Sequence, residues 1–229
     1  MKILAIGAHP DDIEIFMFGI LCVFKKRGDQ IFTTIATDGS KGGNNSLNKL
    51  IKNRKNETIS ALESLSTPNF LNLKDGELGH QVTDFNIIKK NIFNINPDLI
   101  ITHHSNDYHS DHRALSSLVK AATGHYIPII FCDTMMGIGF EPSFYVNITE
   151  YFYMKTNAIL KHKSQKPQRF VKLVKLMNSY RSAQCNAPEG FYAEAFSFNK
   201  SFPFSDITKF LPDTMELTPF DISNQKGFL

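Results

Sequence analysis

The sequence predicts a Rossmann-like α/β fold: three α/β/α layers around a mainly parallel sheet, with a C-terminal extension packed on it. Three observations carry this. Short aliphatic runs alternate with longer amphipathic runs up to residue 132, the pattern of successive strand–helix units. The aliphatic runs end in polar bursts, as strands do when they lead into ligand-binding loops. The 229 residues are 42% hydrophobic, enough for one sizeable core, so a single domain over 1–229 is expected.

Lys2 to Gly7 (KILAIG) reads as a buried strand. Ile13 to Lys26 is apolar at helical spacing and closes at Gly28, a residue suited to the position after a helix. Gln30 to Ala36 (QIFTTIA) is a second strand, followed by Thr37-Asp38-Gly39 and a polar loop, SKGGNNS, that ends near Asn45. Asn48 to Leu65 reads as a charged helix with Ile51, Ile59, Leu62 and Leu65 inward. Phe70 to Leu73 is a short third strand ending at Lys74-Asp75-Gly76, and a helix over Val82 to Asn94 stops before Pro97. Asp98 to Thr102 (DLIIT) is a fourth strand, then comes HHSNDYHSDHR, then a helix over Ala114 to Thr123. Ile127 to Cys132 is a fifth strand. Further on, Phe144 to Ile148 is a strand, Thr149 caps a helix to Lys163, and Pro167 to Asn178 is another helix. Tyr192 to Phe196 is short and undecided between states.

Composition excludes several functions. A net charge of +3, with no Arg/Lys cluster interleaved with aromatics, gives no groove for nucleic acid. No apolar stretch reaches the roughly 20 residues needed to span a bilayer. The N-terminal apolar run is cut short by His9 and Asp11, which does not suit a signal peptide. Cys22, Cys132 and Cys185 are scattered and odd in number, as reduced thiols are. A cytoplasmic address is expected.

The strand ends carry the chemistry. His9, Asp11 and Asp12 follow the first strand, Asp38 the second, Asp75 the third, and His109, Asp111 and His112 the fourth. In an open α/β sheet these loops meet at one edge. Catalytic zinc wants three nitrogen or oxygen ligands and an open position. His9 and Asp12 are three apart, a spacing that puts both on one side if a helical turn begins near Pro10. His112 from the distant loop then completes a candidate His-Asp-His set. Asp11 stays free and ionised beside it, suited to act as a general base. A surface cap or salt bridge would explain one such pair, but not HPDD and HSDH at two strand ends together. GAHPDD lacks the GxGxxG phosphate turn, and no Ser stands in a nucleophile elbow. Glu14 reads as a first-turn acid favoured by the helix dipole. His80, His103, His104, His125 and His162 have no clear partner in the sequence.

AHPDD with HSDH resembles the LmbE-like, or PIG-L-type, family of zinc-dependent N-deacetylases, which act on small molecules containing N-acetylglucosamine. The likeness runs through most of the chain: TDG at 37–39, RKNE at 54–57, Asp75-Gly76, the segment FYVNITEYFYMKTNAILKHKSQ and YAEAF at 192–196. The later segments are most similar to the bacillithiol-pathway branch, which acts on N-acetylglucosaminyl malate. That branch tends to carry Asp-Arg where this chain has Asp75-Gly76, which removes a guanidinium that could read an acidic aglycone.

The resemblance implies His9, Asp12 and His112 as zinc ligands, with another divalent metal such as Fe2+ as the variant. It implies Asp11 as base, His109 as the acid that protonates the leaving amine, and Asp111 as the residue orienting His109. It puts Arg54 and Asp75 against the sugar, with Asp38, Lys41, Tyr108 and Glu194 in the neighbourhood. It implies a homo-oligomer and an N-acetylated amino sugar as substrate. Two alternatives stand beside it: a deacetylase of surface-glycan or antibiotic synthesis, and a sugar-binding module without activity.

Overall fold

The computed structural model describes residues 1–43, 46–124, 126–199 and 209–213; Asn45 and His125 fall outside them. Among the described residues seven strands form one sheet: β1 (Lys2–Gly7), β2 (Gln30–Thr37), β3 (Asn69–Leu73), β4 (Leu99–Thr102), β5 (Ile129–Cys132), β6 (Phe144–Asn147) and β7 (Ala193–Phe198). Their spatial order is β3-β2-β1-β4-β5-β7-β6. β1 to β5 run parallel, while β7 is antiparallel to both β5 and β6. The helices are α1 (Asp12–Phe16), α2 (Phe18–Arg27), α3 (Leu47–Leu62), α4 (Val82–Ile95), α5 (Ser110–Thr123), α6 (Phe152–Leu160) and α7 (Gln168–Gln184).

Strand alternation divides the core in two. Ile3 and Ala5 of β1 pack with buried residues of α1, α2, α3, α6 and α7, while Leu4 and Ile6 pack with Ile88 and Ile92 of α4 and Leu115 and Val119 of α5. Side chains that alternate across a strand thus produce the expected three layers. The chain grows outward from β1 through β2 to β3, then crosses back to place β4 on the other side of β1. The crevice at such a switch point, beyond the strands' carboxyl ends, is where ligands bind in this architecture.

The structure corrects several boundaries. The helix expected over 13–26 is two helices, separated at Met17 (φ −132°, ψ −7°). The new start inside the core is satisfied by the Glu194 carboxylate, which accepts from Gly19 N (2.9 Å) and Ile20 N (2.8 Å). In α3 the buried positions are Leu50, Arg54, Thr58, Ala61 and Leu62, whereas Ile59 is exposed, because an inward Arg54 rotates the face. The helix expected from Ala114 begins at Ser110, so HSDH occupies its first turn. Thr149 is not a cap: it lies in a 3-10 turn and donates to Asn147 Oδ1 through its amide (2.9 Å) and hydroxyl (2.6 Å). Residues 193–198 form a strand inserted between β5 and β6. Among the described residues no helix is long and apolar enough to cross a membrane.

Candidate metal and catalytic site

β1 ends at Gly7, where the next turn packs closely: a Cβ there would stand 3.1 Å from Asp12 Cβ and 3.2 Å from Ile13 Cγ1, tighter than ordinary contact. The following turn is held on itself, His9 N donating to Asp12 Oδ2 (2.7 Å) and Asp12 N to His9 O (3.3 Å). Asp11 carries the bend at φ 116°, ψ −20°, a region a non-glycine residue enters at a cost of about 1–3 kcal/mol and keeps only when its surroundings over-determine it. The helix therefore starts at Asp12 rather than at Pro10, and the His9–Asp12 approach comes from this strained turn. Arg54, reaching in from α3, donates to Pro10 O (2.6 Å), Gly39 O (2.9 Å) and Asp11 Oδ2 (3.2 Å), which fixes both the bend and the Asp11 carboxylate.

β4 delivers the opposite wall. His103 is fully buried directly after the strand, and His109 caps α5 with Nδ1 accepting from Asp111 N (3.3 Å). Asp12 Oδ2 is the meeting point: His9 Nδ1 lies 3.3 Å away, His112 Nε2 3.2 Å and His103 Nε2 3.1 Å. A tetrahedral ion with ligand bonds near 2.0–2.1 Å has ligand-to-ligand edges of about 3.3 Å, and the first two distances each match one such edge. His103 and His112 are stacked at 3.7 Å with planes 11° apart. The two ring planes are nearly parallel, so one ion cannot lie in both, and His103 Nε2 is shared between the Ala8 amide, from which it accepts (3.1 Å), and the Asp12 carboxylate (3.1 Å). Three sets of donor atoms lie within 4.8 Å of one another: His9, His109 and His112; Asp12, His103 and His112; and His9, Asp75 and Asp111. The set expected from the sequence, His9, Asp12 and His112, is not one of these groups; its two imidazoles each approach Asp12 Oδ2 separately, His9 through Nδ1 and His112 through Nε2.

The electrostatics follow from packing many acids and imidazoles together. Burial is the largest influence on His9 and His112 and works against their charge, but the surrounding carboxylates together outweigh it, Asp12 with Asp111 and Asp75 holding His9 well above the usual imidazole range and Asp12 with Asp107 holding His112 at about 9. Asp12 resists its own burial because three imidazoles surround it, and stays well below the carboxylate range. Asp11 goes the other way: burial raises it, tempered by Arg54, and neighbouring Asp12 adds to the rise. His103 falls to about 4 through burial and the nearby His112. His109 is lowered by burial and by His9 and His112.

Apart from Glu194, the sequence-derived residues arrive at this edge, but some face other partners than expected. The Asp111 carboxylate turns to His9 Nε2 (3.1 Å) and Gly76 N (2.7 Å); only its main-chain amide addresses His109. Arg54 and Asp75 are 3% and 5% exposed, Arg54 spent on the Asp11 turn and Asp75 on His9 Nε2 (3.3 Å) and Lys41 N (2.8 Å). Asp38 accepts from Ser40 N, and Tyr108 is exposed. Glu194 belongs to the core, bound to Lys155 Nζ at 2.7 Å. His104 packs edge-on against Phe131 and Phe140. Two participants were missed, His103 and Asp107, whose Oδ2 lies 3.1 Å from His112 Nδ1. His103 follows its strand more directly than His9 does, and Asp107 stands five residues before His112; position in the loop was the available signal.

A mainly parallel sheet with an acid–imidazole cluster at its switch point makes this an α/β domain with a candidate metal site. The chain belongs to the PIG-L family, described as GlcNAc-PI de-N-acetylase, whose profile matches residues 4–123. It is 31% identical over 172 residues to the uncharacterized deacetylase YaiS of Escherichia coli K12, covering 71% of this chain and 90% of YaiS. Among solved structures it is similar to the N,N'-diacetylchitobiose deacetylase of Pyrococcus horikoshii, with TM-score 0.76, 22% identity, and 90% and 88% of the two chains covered. It is also similar to the 4-carboxy-2-hydroxymuconate hydratase GalB of Pseudomonas putida, with TM-score 0.73, 17% identity, and 86% and 95% covered. The fold thus also serves a hydratase, and the deacetylase assignment rests on the family.

Proposed function

We propose that the chain is a zinc-dependent hydrolase that removes the N-acetyl group of an N-acetylglucosamine-containing small molecule, N-acetylglucosaminyl malate being the specific candidate. The observation that carries this is the single carboxylate oxygen of Asp12, with His9 Nδ1 at 3.3 Å and His112 Nε2 at 3.2 Å, beside a separate carboxylate held by Arg54. His9, Asp12 and His112 would hold the ion, zinc in the first instance and Fe2+ as the other candidate. Bound there, it supplies a Lewis acid for the amide carbonyl and draws the pKa of water toward ~7.

Asp11 takes the proton of the attacking water. Its carboxyl has a raised proton affinity from burial, while Arg54 keeps it anchored, a balance suited to a base that must accept and then release a proton. His109 uses Nδ1 as an acceptor, which leaves its proton on Nε2 for the departing nitrogen. Water oxygen bonds to the acyl carbon, the C–N bond breaks, and acetate and a free amine leave. Arg54 and Asp75 are proposed for the sugar hydroxyls, next to the base and to His9. A cytoplasmic address belongs to the same proposal, supported by the free thiols Cys22, Cys132 and Cys185.

Acetate release from a panel of N-acetylglucosaminides, with and without chelator, tests the reading. Turnover abolished by chelator and restored by Zn2+ is expected. Chelator-insensitive turnover would exclude the metal mechanism. No turnover on any panel member by the metal-loaded protein would favour a sugar-binding module, and turnover only on glycan or antibiotic precursors would redirect the substrate.

A further inference from the structure

Both imidazoles of the proposed metal set are gripped from behind by buried carboxylates, and the grips reach opposite ring atoms. His112 turns Nε2 to Asp12 Oδ2 (3.2 Å), and its Nδ1 lies 3.1 Å from Asp107 Oδ2, an ion-pair distance without hydrogen-bond alignment; neither of these last two atoms has another hydrogen-bond partner. His9 turns Nδ1 to Asp12 Oδ2 (3.3 Å) and Nε2 to Asp111 Oδ2 (3.1 Å) and Asp75 Oδ1 (3.3 Å). Each carboxylate is also anchored to main chain. Asp107 Oδ1 accepts from His109 N (2.8 Å), Asp111 Oδ2 from Gly76 N (2.7 Å) and Asp75 Oδ2 from Lys41 N (2.8 Å). The loops after β2, β3 and β4 therefore converge on the far sides of two rings rather than on open solvent. All three acids are at most 5% exposed.

We propose that Asp107, Asp111 and Asp75 are positioning residues for the metal site: Asp107 fixes His112 as an Nε2 donor, and Asp111 with Asp75 fixes His9 as an Nδ1 donor. The inference rests on the metal reading above. A carboxylate on the distal nitrogen of a ligating imidazole fixes its tautomer and ring plane and strengthens its donor atom. Asp111 thereby acts on a metal ligand through its side chain, and on His109 only through its amide at 3.3 Å.

Metal-free protein titrated with Zn2+ against a chromophoric chelator, and loaded in parallel with Co2+ for its visible spectrum, tests this without turnover. Asp107→Ala and Asp111→Ala are each expected to weaken Zn2+ binding roughly 10–100-fold and to shift the Co2+ bands. Asp107→Asn and Asp111→Asn should fall between, because the amide oxygen still accepts from the ring but carries no charge; they replace the Ala forms if circular dichroism shows those unfolded. Folded variants with wild-type Zn2+ affinity and an unchanged Co2+ spectrum would overturn the inference and leave the metal reading standing. A wild-type protein that takes up neither ion would overturn both.

Discussion

The strand-end site and the cluster around Glu194 both bury charge, but on opposite plans. Glu194 meets one cation, Lys155 (2.7 Å), and two amides at the start of α2, Gly19 N (2.9 Å) and Ile20 N (2.8 Å). One anion, one cation and two oriented donors close the set at any pH where both groups are ionised. At the strand ends Asp11, Asp12, Asp75, Asp107 and Asp111 face one guanidinium, Arg54, and four imidazoles. Its balance depends on protons that His9 and His112 hold tightly, and those protons can be exchanged for a metal ion. The first arrangement supports a fold, and the second keeps its charges available to something that comes and goes.

The largest effect should come from separating the two adjacent acids of the site. Asp11→Ala should cut turnover by roughly 10²–10⁴-fold, the usual worth of a positioned general base, with bound metal retained. Asp12→Ala should instead lose the metal, since its Oδ2 is the atom on which three imidazoles converge. Metal analysis beside acetate release checks both. Metal lost from the Asp11 variant and kept by the Asp12 variant would reverse the assignment.

The closed cluster predicts the complementary result. Glu194→Ala leaves Lys155 buried without a counter-charge and two helix amides without an acceptor, at a cost of about 3–5 kcal/mol. The urea midpoint should fall accordingly, while the refolded protein takes up metal normally. Replacing both partners with apolar residues should recover much of the loss, because the penalty is that of the orphaned charge. A double variant as unstable as the single one would show that Glu194 matters mainly to the start of α2.

This contrast also marks where the sequence was legible. Strand–loop–helix order places polar loops at one edge, so His9, Asp12 and His112 could be read as neighbours though they lie far apart in the chain. The break at Met17 could not be read, since its cause is Glu194 more than 170 residues away, as the contact to Gly19 spans 175 positions. Arg54 looked like a solvated helix residue or a sugar contact; its inward turn depends on three acceptors from two other loops. His162 looked unpartnered because Glu14, its partner, is 148 residues distant. Periodicity reports which face is apolar, and it carries no signal for a buried charge whose partner lies on another element.

A smaller effect should come from the glycines that make room for Arg54. A Cβ at Gly42 would stand 2.3 Å from Arg54 Nη1 and 3.0 Å from Cζ. The guanidinium cannot step aside without releasing Pro10, Gly39 or Asp11. Gly42→Ala should therefore cost about 1–3 kcal/mol by overpacking, and turnover should fall with it as Asp11 loses its anchor. Reduced stability with full turnover would show that Asp11 holds its position without Arg54.

The smallest effect concerns a pair intermediate between the two plans. His162 Nε2 lies 2.8 Å from Glu14 Oε1, and both residues are fully buried. Burial lowers the imidazole, but the Glu14 charge and hydrogen bond outweigh it, with Asp11 and Glu57 adding to the rise, so His162 lies above its usual range. A folded-state pKa raised above the unfolded value near 6.5 contributes stability that is complete below that value and lost as pH rises through the folded one. Wild-type stability to urea should thus decline more between pH 6 and pH 9 than that of His162→Gln. His9 and His112 are raised as well, but they are present in both proteins and cancel in the difference. Parallel pH profiles would mean that the pair stays balanced when His162 is neutral, as a hydrogen bond rather than an ion pair, and belongs with the closed cluster. A steeper wild-type profile would place it with the site, where charge balance depends on a proton.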